Sequence, residues 1–237
     1  MKKLFFEEIT STNDYAKEHF AETDDKTIIY ANNQTNGHGR LGRKWVSTDG
    51  NGLNLYASIV LKPPKVCPYN NFTQYVSVVL CRVLEDYNIK SNIKWPNDVL
   101  VNGLKICGIL AERTSQMNGF VIGIGVNLNL SKEETESIDR PATSLNLILS
   151  KSIDRDEFLE KFCTEFEKNY NDFLKQGFGY IREEYLKRTD FIGKEIAVSV
   201  NKDEKIKGIA KDINPDGELV LELSDKNEKI IISGEIN

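Results

Sequence analysis

The 237-residue chain has only two histidines, His19 and His38, which leaves little material for a Ser-His-Asp triad or a multi-histidine metal site. Its four cysteines, Cys67, Cys81, Cys107 and Cys163, lie far apart with no C-x-x-C pair. Neither a disulfide framework nor a zinc cluster is indicated. No apolar run is long enough to span a bilayer, and Met1-Lys2-Lys3 leads into a strand-like stretch instead of a signal peptide. These features fit a reducing cytoplasm and no membrane partner. Positive charge is also in short supply: 31 Lys and Arg against 36 Asp and Glu, net −5, argue against a general nucleic-acid binder. No internal repeat or low-complexity segment is present. What remains is 40% hydrophobic and 28% charged, enough for one good-sized domain with a small appendage.

Against that acidic background one basic stretch stands out, residues 34–45, Q-T-N-G-H-G-R-L-G-R-K-W. It sets Gly37, Gly39 and Gly42 among Arg40, Arg43 and Lys44, with no carboxylate until Asp49. Glycines let backbone N–H groups approach a ligand closely. Arginine adds a planar fork for phosphate oxygens and lysine a point charge. A loop that closes over an anion is one reading; a solvated surface loop and a nucleic-acid contact are the others. The stretch alone does not choose among them.

The rest of the chain reads as α+β. Residues 3–9 form a short strand, and Thr10-Ser11-Thr12-Asn13 starts a helix that runs to about Ala21. Residues 27–31 are a β-branched strand delivering the chain to Gln34. Residues 53–61 alternate with a period of two, as a half-buried strand does, with Leu53, Leu55, Ala57, Ile59 and Leu61 on one face. Phe72, Tyr75, Val76, Val79, Leu80, Val83, Leu84 and Tyr87 mark the inner stripe of a long helix. Pro96 interrupts a strand and leaves Asn97-Asp98 at the break. Asn102-Gly103 predicts a two-residue hairpin, which brings Asp98 and Lys105 into paired strands. A lysine on so apolar a strand (K-I-C-G-I-L) needs an anionic partner if buried; an edge-strand lysine that blocks aggregation is the alternative. Residues 120–130 make a further strand with Gly123, Gly125 and Asn127 on one side, leaving room for a ligand or a close-packed helix. Pro141 opens a short helix, and Asp154-x-x-Glu157 predicts a capping box ahead of a long one. From about Thr189 the pattern changes to short strands with seven lysines against eleven acidic residues, a small barrel poorly suited to binding phosphate. The expected division is 1–188 and 189–237.

Taken in order, Ser11-Thr12-Asn13, Gln34 with its G-x-G-R-x-G-R-x-W loop, K-W-P-N-D at 94–98, K-x-x-G-I-L at 105–110, G-x-G-x-N at 123–127 and G-E-I at 234–236 resemble the biotin protein ligase family, also called biotin–[acetyl-CoA-carboxylase] ligase. The likeness covers essentially the whole chain. It implies a mixed, largely antiparallel sheet with packed helices, followed by a small C-terminal SH3-like β-barrel. It also implies two half-reactions with biotin and ATP as substrates: biotinyl-5′-AMP forms with release of pyrophosphate, and biotin then passes to a lysine ε-amine on a biotin carboxyl carrier domain. Mg²⁺ is expected with the triphosphate, through ligands the sequence does not name.

Carried over residue by residue, Ser11, Thr12, Asn13 and Gln34 match positions that hydrogen-bond the biotin rings. Gly37, His38 and Gly39 belong to the phosphate loop, and Arg40 to its adenylate-holding arginine. Arg43 and Trp45 match positions tied to the nucleotide. Lys105 matches the lysine that bridges the biotin carboxylate and the α-phosphate, with Gly108 beside it in the same motif. Lys94 and Asp98 fall at the transfer site, where Asp98 is the candidate to orient or deprotonate the acceptor amine. Asn127 matches an adenine-side position. The chain departs from the usual G-R-G-R at His38, which gives less steady charge than arginine near neutral pH. It also lacks the basic residue that often follows G-E-I. With the catalytic body expected from about Lys2, no winged-helix domain and no DNA-binding function are expected. A homodimer pairing through sheet edges is possible, with the strand at 123–130 as the edge to inspect. Alternatives are a lipoate or octanoate ligase or transferase of the same fold, which would lack this arginine loop and K-W-P-N-D, and a non-enzymatic biotinyl-AMP sensor.

Overall fold

A computed structural model describes residues 1–47, 54–63, 71–113, 118–201 and 203–237. Leu53 and Cys67 lie outside the described residues.

Seven strands form the main sheet: β1 (Lys3–Ile9), β2 (Thr27–Gln34), β3 (Leu55–Leu61), β4 (Asn92–Lys94), β5 (Asp98–Val101), β6 (Leu104–Glu112) and β7 (Phe120–Val126). Their order is β1-β2-β3-β7-β6-β5-β4, and only the β1–β2 pair is parallel. The sheet is therefore mixed and largely antiparallel, as the resemblance implies. The β5–β6 hairpin turns through Asn102 at φ 51° and Gly103 at φ 78°, the two positive values that an Asn-Gly turn supplies cheaply. β7 lies between β3 and β6, so it is not the free edge expected of residues 123–130; β1 and β4 are the edges. Residues beyond Val126 leave the sheet because Asn54 accepts the backbone N–H groups of Leu128 and Asn129, capping the turn.

Helices cover both faces. On one side α2 (Phe72–Glu85), α5 (Arg155–Gln176) and α6 (Phe178–Lys187) enclose the main core, where Tyr75 stacks on Phe173 at 4.3 Å. On the other, α1 (Thr12–Glu18) packs Ala16, with Phe20 beyond its end, onto Ile29, Val60 and Val121. This second layer corrects the half-buried reading of the strand before Leu61. All seven residues of β3 are buried, because α1 covers the face that alternation assigned to solvent. Two short helices, α3 (Lys132–Glu136) and α4 (Leu145–Leu149), link β7 to α5. Asp154 caps α5 through the backbone N–H groups of Asp156 and Glu157. The reciprocal capping box falls instead on α3, between Ser131 and Glu134, where the sequence reading placed no helix. No helix among the described residues is long and apolar enough to cross a membrane. Cys81, Cys107 and Cys163 are free, buried thiols.

The C-terminal strands β8 (Glu195–Ser199), β9 (Lys205–Ile213), β10 (Leu219–Glu222), β11 (Glu228–Ile231) and β12 (Glu235–Ile236) make an antiparallel sheet in the order β11-β10-β9-β8-β12. Among the described residues β11 and β12 do not pair, so the expected barrel takes the form of an open sheet. Its turn at Gly217 plugs into the main body. The Gly217 carbonyl accepts Gln74 Nε2 at 2.7 Å and Trp95 Nε1 at 3.1 Å, while Asn71 Nδ2 donates to the Asp216 carbonyl at 2.8 Å. Gly217 sits at φ 82°, and a Cβ there would lie 2.3 Å from Asn71 Nδ2 and 2.6 Å from Gln74 Oε1. Gly217→Ala is expected to destabilise the protein by about 1–3 kcal/mol through strain and displaced hydrogen bonds. In a thermal melt that lowers Tm by roughly 2–4 °C per kcal/mol; an unchanged Tm would show that the turn does not tie the two sheets together.

Candidate functional site

The basic loop folds back on itself over one face of the main sheet. His38 bridges Lys44, Gly39 N–H donates to the Arg43 carbonyl at 2.7 Å, and Trp45 N–H donates to the Gly37 carbonyl at 2.9 Å. Its tip is a 3₁₀ turn, Arg40–Gly42, with Leu41 held at φ 59°. The result is a strap with Arg40, Arg43 and Trp45 turned toward a cavity of about 1250 Å³ including its open mouth.

Every residue to which the resemblance gives a site role lines this cavity except Gly37. Gly37 is buried, and a Cβ there would meet Gln34 Nε2 at 2.9 Å and the Trp45 carbonyl at 3.1 Å. It lets the strap pass close beneath Gln34. The room left by the small strand residues is also allotted. Gly108 and Gly125 are register partners on β6 and β7, and the Trp45 indole lies across both. A Cβ would fall 2.7 Å from that ring at Gly108 and 2.3 Å at Gly125. Gly123 makes room for Asn13 of α1, so one glycine serves helix packing and two serve the indole.

At one end of the cavity the start of α1 meets β2. Ser11 caps the helix at Asp14 N–H, and Thr12 donates from both its backbone N–H (2.8 Å) and its hydroxyl (3.0 Å) to Gln34 Oε1. Ser58 on β3 donates to Thr12 Oγ1 at 2.7 Å and also reaches Asn13 Oδ1. Asn13 Nδ2 donates to Glu112 Oε2 at 2.7 Å, and Lys17 holds the other oxygen at 2.9 Å. His38 Nε2 stands 3.3 Å from Glu112 Oε2 and Nδ1 3.9 Å from Asp14 Oδ2, tying the strap to α1 and β6. Burial pushes the Glu112 carboxyl upward, but the hydrogen bonds from Lys17 and Asn13 and the nearby positive charge outweigh it and hold it below its ordinary value. Ser58 and Glu112 carry no motif signal, because only folding brings β3 and the end of β6 beside α1.

In the middle, Lys105 Nζ lies 2.7 Å from Asp98 Oδ1 and 5.4 Å from the Trp45 ring centre. The lysine is thus no edge-strand guard: it is internal, with the anionic partner its apolar strand requires. Lys94 faces Asp98 across the β4–β5 pair. Asn127 donates from Nδ2 to the Thr143 carbonyl at 3.0 Å, pinning residues 141–143 alongside Lys105, whose backbone N–H bonds the Pro141 carbonyl at 3.0 Å.

Arg40 is different. Its guanidinium donates to Asn97 Oδ1 at 3.0 Å and Ser233 Oγ at 3.4 Å, both neutral. Burial lowers its pKa from the ordinary value, and the charges of Glu235 and Asp98 offset only part of that. Beyond it Arg43 NH2 contacts Glu235 Oε2 at 2.5 Å, and Arg140 binds the other oxygen of the same carboxylate. Burial alone would raise the Glu235 carboxyl, yet the two guanidiniums bring it down to about 2. The cavity carries six cationic side chains, Arg40, Arg43, Lys44, Lys94, Lys105 and Arg140, against two carboxylates, Asp98 and Glu235. Among the described residues no group of three or more His, Cys, Asp or Glu side chains is placed to hold a metal ion. Asp98 and Glu235 are already committed to cations, so these residues do not form a Mg²⁺ cage.

The fold and this pocket define a protein with a cation-rich cavity on a sheet face beneath a glycine-rich strap. The sequence matches the Biotin/lipoate A/B protein ligase family over residues 5–129 and the Biotin protein ligase C terminal domain over residues 191–237. The chain belongs to that ligase family. It is 31% identical over 205 residues to the biotin–[acetyl-CoA-carboxylase] ligase of Paracoccus denitrificans, covering 81% of this chain and 82% of that one. It is 31% identical over 189 residues to the bifunctional ligase/repressor BirA of Bacillus spizizenii, covering 76% of this chain. The match spans 57% of the length of that relative. Among solved structures it resembles the biotin protein ligase from Aquifex aeolicus in complex with biotin and ATP, with a TM-score of 0.83, 29% identity and coverage of 100% and 97%.

Proposed function

We propose that this chain is an ATP-dependent biotin–protein ligase, with residues 1–188 binding both small substrates and residues 189–237 bracing the strap. The observation that carries the reading is the pairing, in one cavity, of Lys105 against Asp98 with a half-buried Arg40 whose partners are neutral. A carboxylate attacking a polyphosphate needs cations to offset mutual repulsion, and those cations are worth most where water is excluded. Family membership and the likeness to the Aquifex aeolicus ligase support the choice of biotin and ATP.

In the first half-reaction a biotin carboxylate oxygen attacks the α-phosphorus. The bond from that phosphorus to the oxygen bridging the β-phosphate breaks, and pyrophosphate leaves with the electron pair. Lys105 neutralises both approaching anions without forming a bond itself. Arg40 holds the product adenylate. Ser11, Thr12, Asn13 and Gln34 take the polar end of biotin, with Asn127 on the adenine side and Trp45 and Arg43 against the nucleotide. In the second half-reaction a lysine amine of a biotin carboxyl carrier domain attacks the acyl carbon. The acyl carbon–oxygen bond to AMP breaks, and Asp98 orients the amine and accepts its proton, with Lys94 alongside. Mg²⁺ is expected to arrive with ATP, and no step here depends on it. The reading takes no DNA as partner, since the cations gather inside the cavity of a chain with net charge −5.

The test is incubation with ATP, a carrier domain, and labelled biotin or labelled lipoate. Biotin label on the carrier is expected. Transfer from lipoate alone would overturn the reading, and a stable adenylate with no transfer would replace it with a sensor.

A further inference from the structure

Arg140 belongs to none of the motifs, yet it lines the cavity and the segment that follows it is fixed to the sheet. Residues 141–143 are laddered onto the backbone of Lys105: its N–H donates to the Pro141 carbonyl at 3.0 Å, and its carbonyl accepts Thr143 N–H at 2.9 Å. Arg140 therefore enters the cavity at a fixed offset from the lysine. There it grips one oxygen of Glu235 while Arg43, arriving on the strap, grips the other. Two guanidiniums share a single carboxylate, which leaves one positive charge uncompensated. Both arginine side chains stay open to the cavity, 38% and 44% exposed, whereas the carboxylate between them is only 15% exposed. Paired planar forks closing on a small multivalent anion are the arrangement that suits phosphate oxygens.

We infer that Arg140 and Arg43 together seat the pyrophosphate end of a nucleoside triphosphate, and that Glu235 is an internal stand-in anion that keeps the two forks in register until a polyphosphate displaces it. The inference rests on the ligase reading for the identity of the nucleotide's role. In that reaction the departing pyrophosphate carries away the electron pair of the broken phosphorus–oxygen bond, so two guanidiniums at this place stabilise the leaving group while Lys105 acts at the α-phosphate. Arg140 is then a leaving-group residue, supplied by the connection between α3 and α4.

The experiment is calorimetric titration of the full chain with inorganic pyrophosphate, ATP, AMP and biotin in turn. Arg140→Ala is expected to weaken pyrophosphate and ATP by roughly tenfold or more, the loss of a charge-assisted pair of hydrogen bonds, while AMP and biotin bind as in the wild type. Arg140→Lys keeps the charge without the fork and should fall between. Glu235→Gln keeps an acceptor oxygen for one fork only, frees the other and removes the competing charge, and should tighten pyrophosphate binding. Wild-type pyrophosphate affinity in Arg140→Ala, or an equal loss for all four ligands, overturns the inference and leaves Arg140 as a structural clip; weaker pyrophosphate binding in Glu235→Gln removes the stand-in role. The titration needs no chemistry, so the two readings fail separately. Pyrophosphate binding through Arg140 with no biotinyl-AMP formed defeats only the ligase reading; biotinyl-AMP formation with pyrophosphate indifferent to Arg140 defeats only this inference.

Discussion

Lys105→Ala is expected to reduce biotinyl-AMP formation by about 10²–10³-fold or more, the effect of removing one preorganised charge from an electrostatic site. Three losses coincide. The carboxylate and α-phosphate meet without a neutralising ammonium. Asp98, only 14% exposed, is left in the cavity without the partner now 2.7 Å away. The cation beside the Trp45 ring also disappears. Lys105→Arg should recover only part of the rate. It restores charge, but its wider planar head has to fit where Gly108 already lies against both Trp45 and the lysine side chain. Adenylate formation followed by labelled pyrophosphate exchange reads this step without the carrier. A Lys105→Ala protein that folds normally and exchanges at the wild-type rate would remove the central assignment.

Arg40→Gly carries the second large effect, on retention more than on formation. Arg40 links the tip of the strap to both sheets, through Asn97 on the main body and Ser233 beside β12. Its glycine replacement loses both bonds and adds freedom next to Leu41 and Gly42, which already sit at positive φ. Residence of biotinyl-AMP should shorten by roughly tenfold or more, given a hydrogen-bonded charge removed from a partly buried site, while adenylation still proceeds. The measurement is labelled biotinyl-AMP passing a filter that retains the protein. Release as slow as in the wild type would mean that the strap does not hold the intermediate. Arg43 should matter less for retention, because its carboxylate partner keeps a second guanidinium, Arg140.

Elements with strong local signals were legible in advance. The Asn-Gly hairpin, the broken strand at Pro96 and the long α2 stripe follow from turn chemistry and periodicity, which act over a few residues. Most of the candidate site was legible too, as motif order. The misreadings share one cause. Period-two alternation in β3 cannot report that α1 lies on its second face. The glycine at 125 cannot report that the distant Trp45 indole fills its space, whereas Gly123 takes the close-packed helix that its smallness allowed. β7 reads like any apolar strand whether central or at an edge.

By itself, then, the amino-acid order determined the kinds of element, the cationic glycine-rich loop and the requirement that Lys105 meet an anion, because each depends on residue chemistry and near neighbours. The local hairpin already set Asp98 beside Lys105; the tertiary structure alone decided that the second sheet stays open, that Arg40 is answered by neutral groups, and that Arg140 joins Arg43 on Glu235. Those contacts join residues separated by up to 193 positions. Such pairings are set by how layers pack and charges are buried, and no local pattern in a chain encodes them.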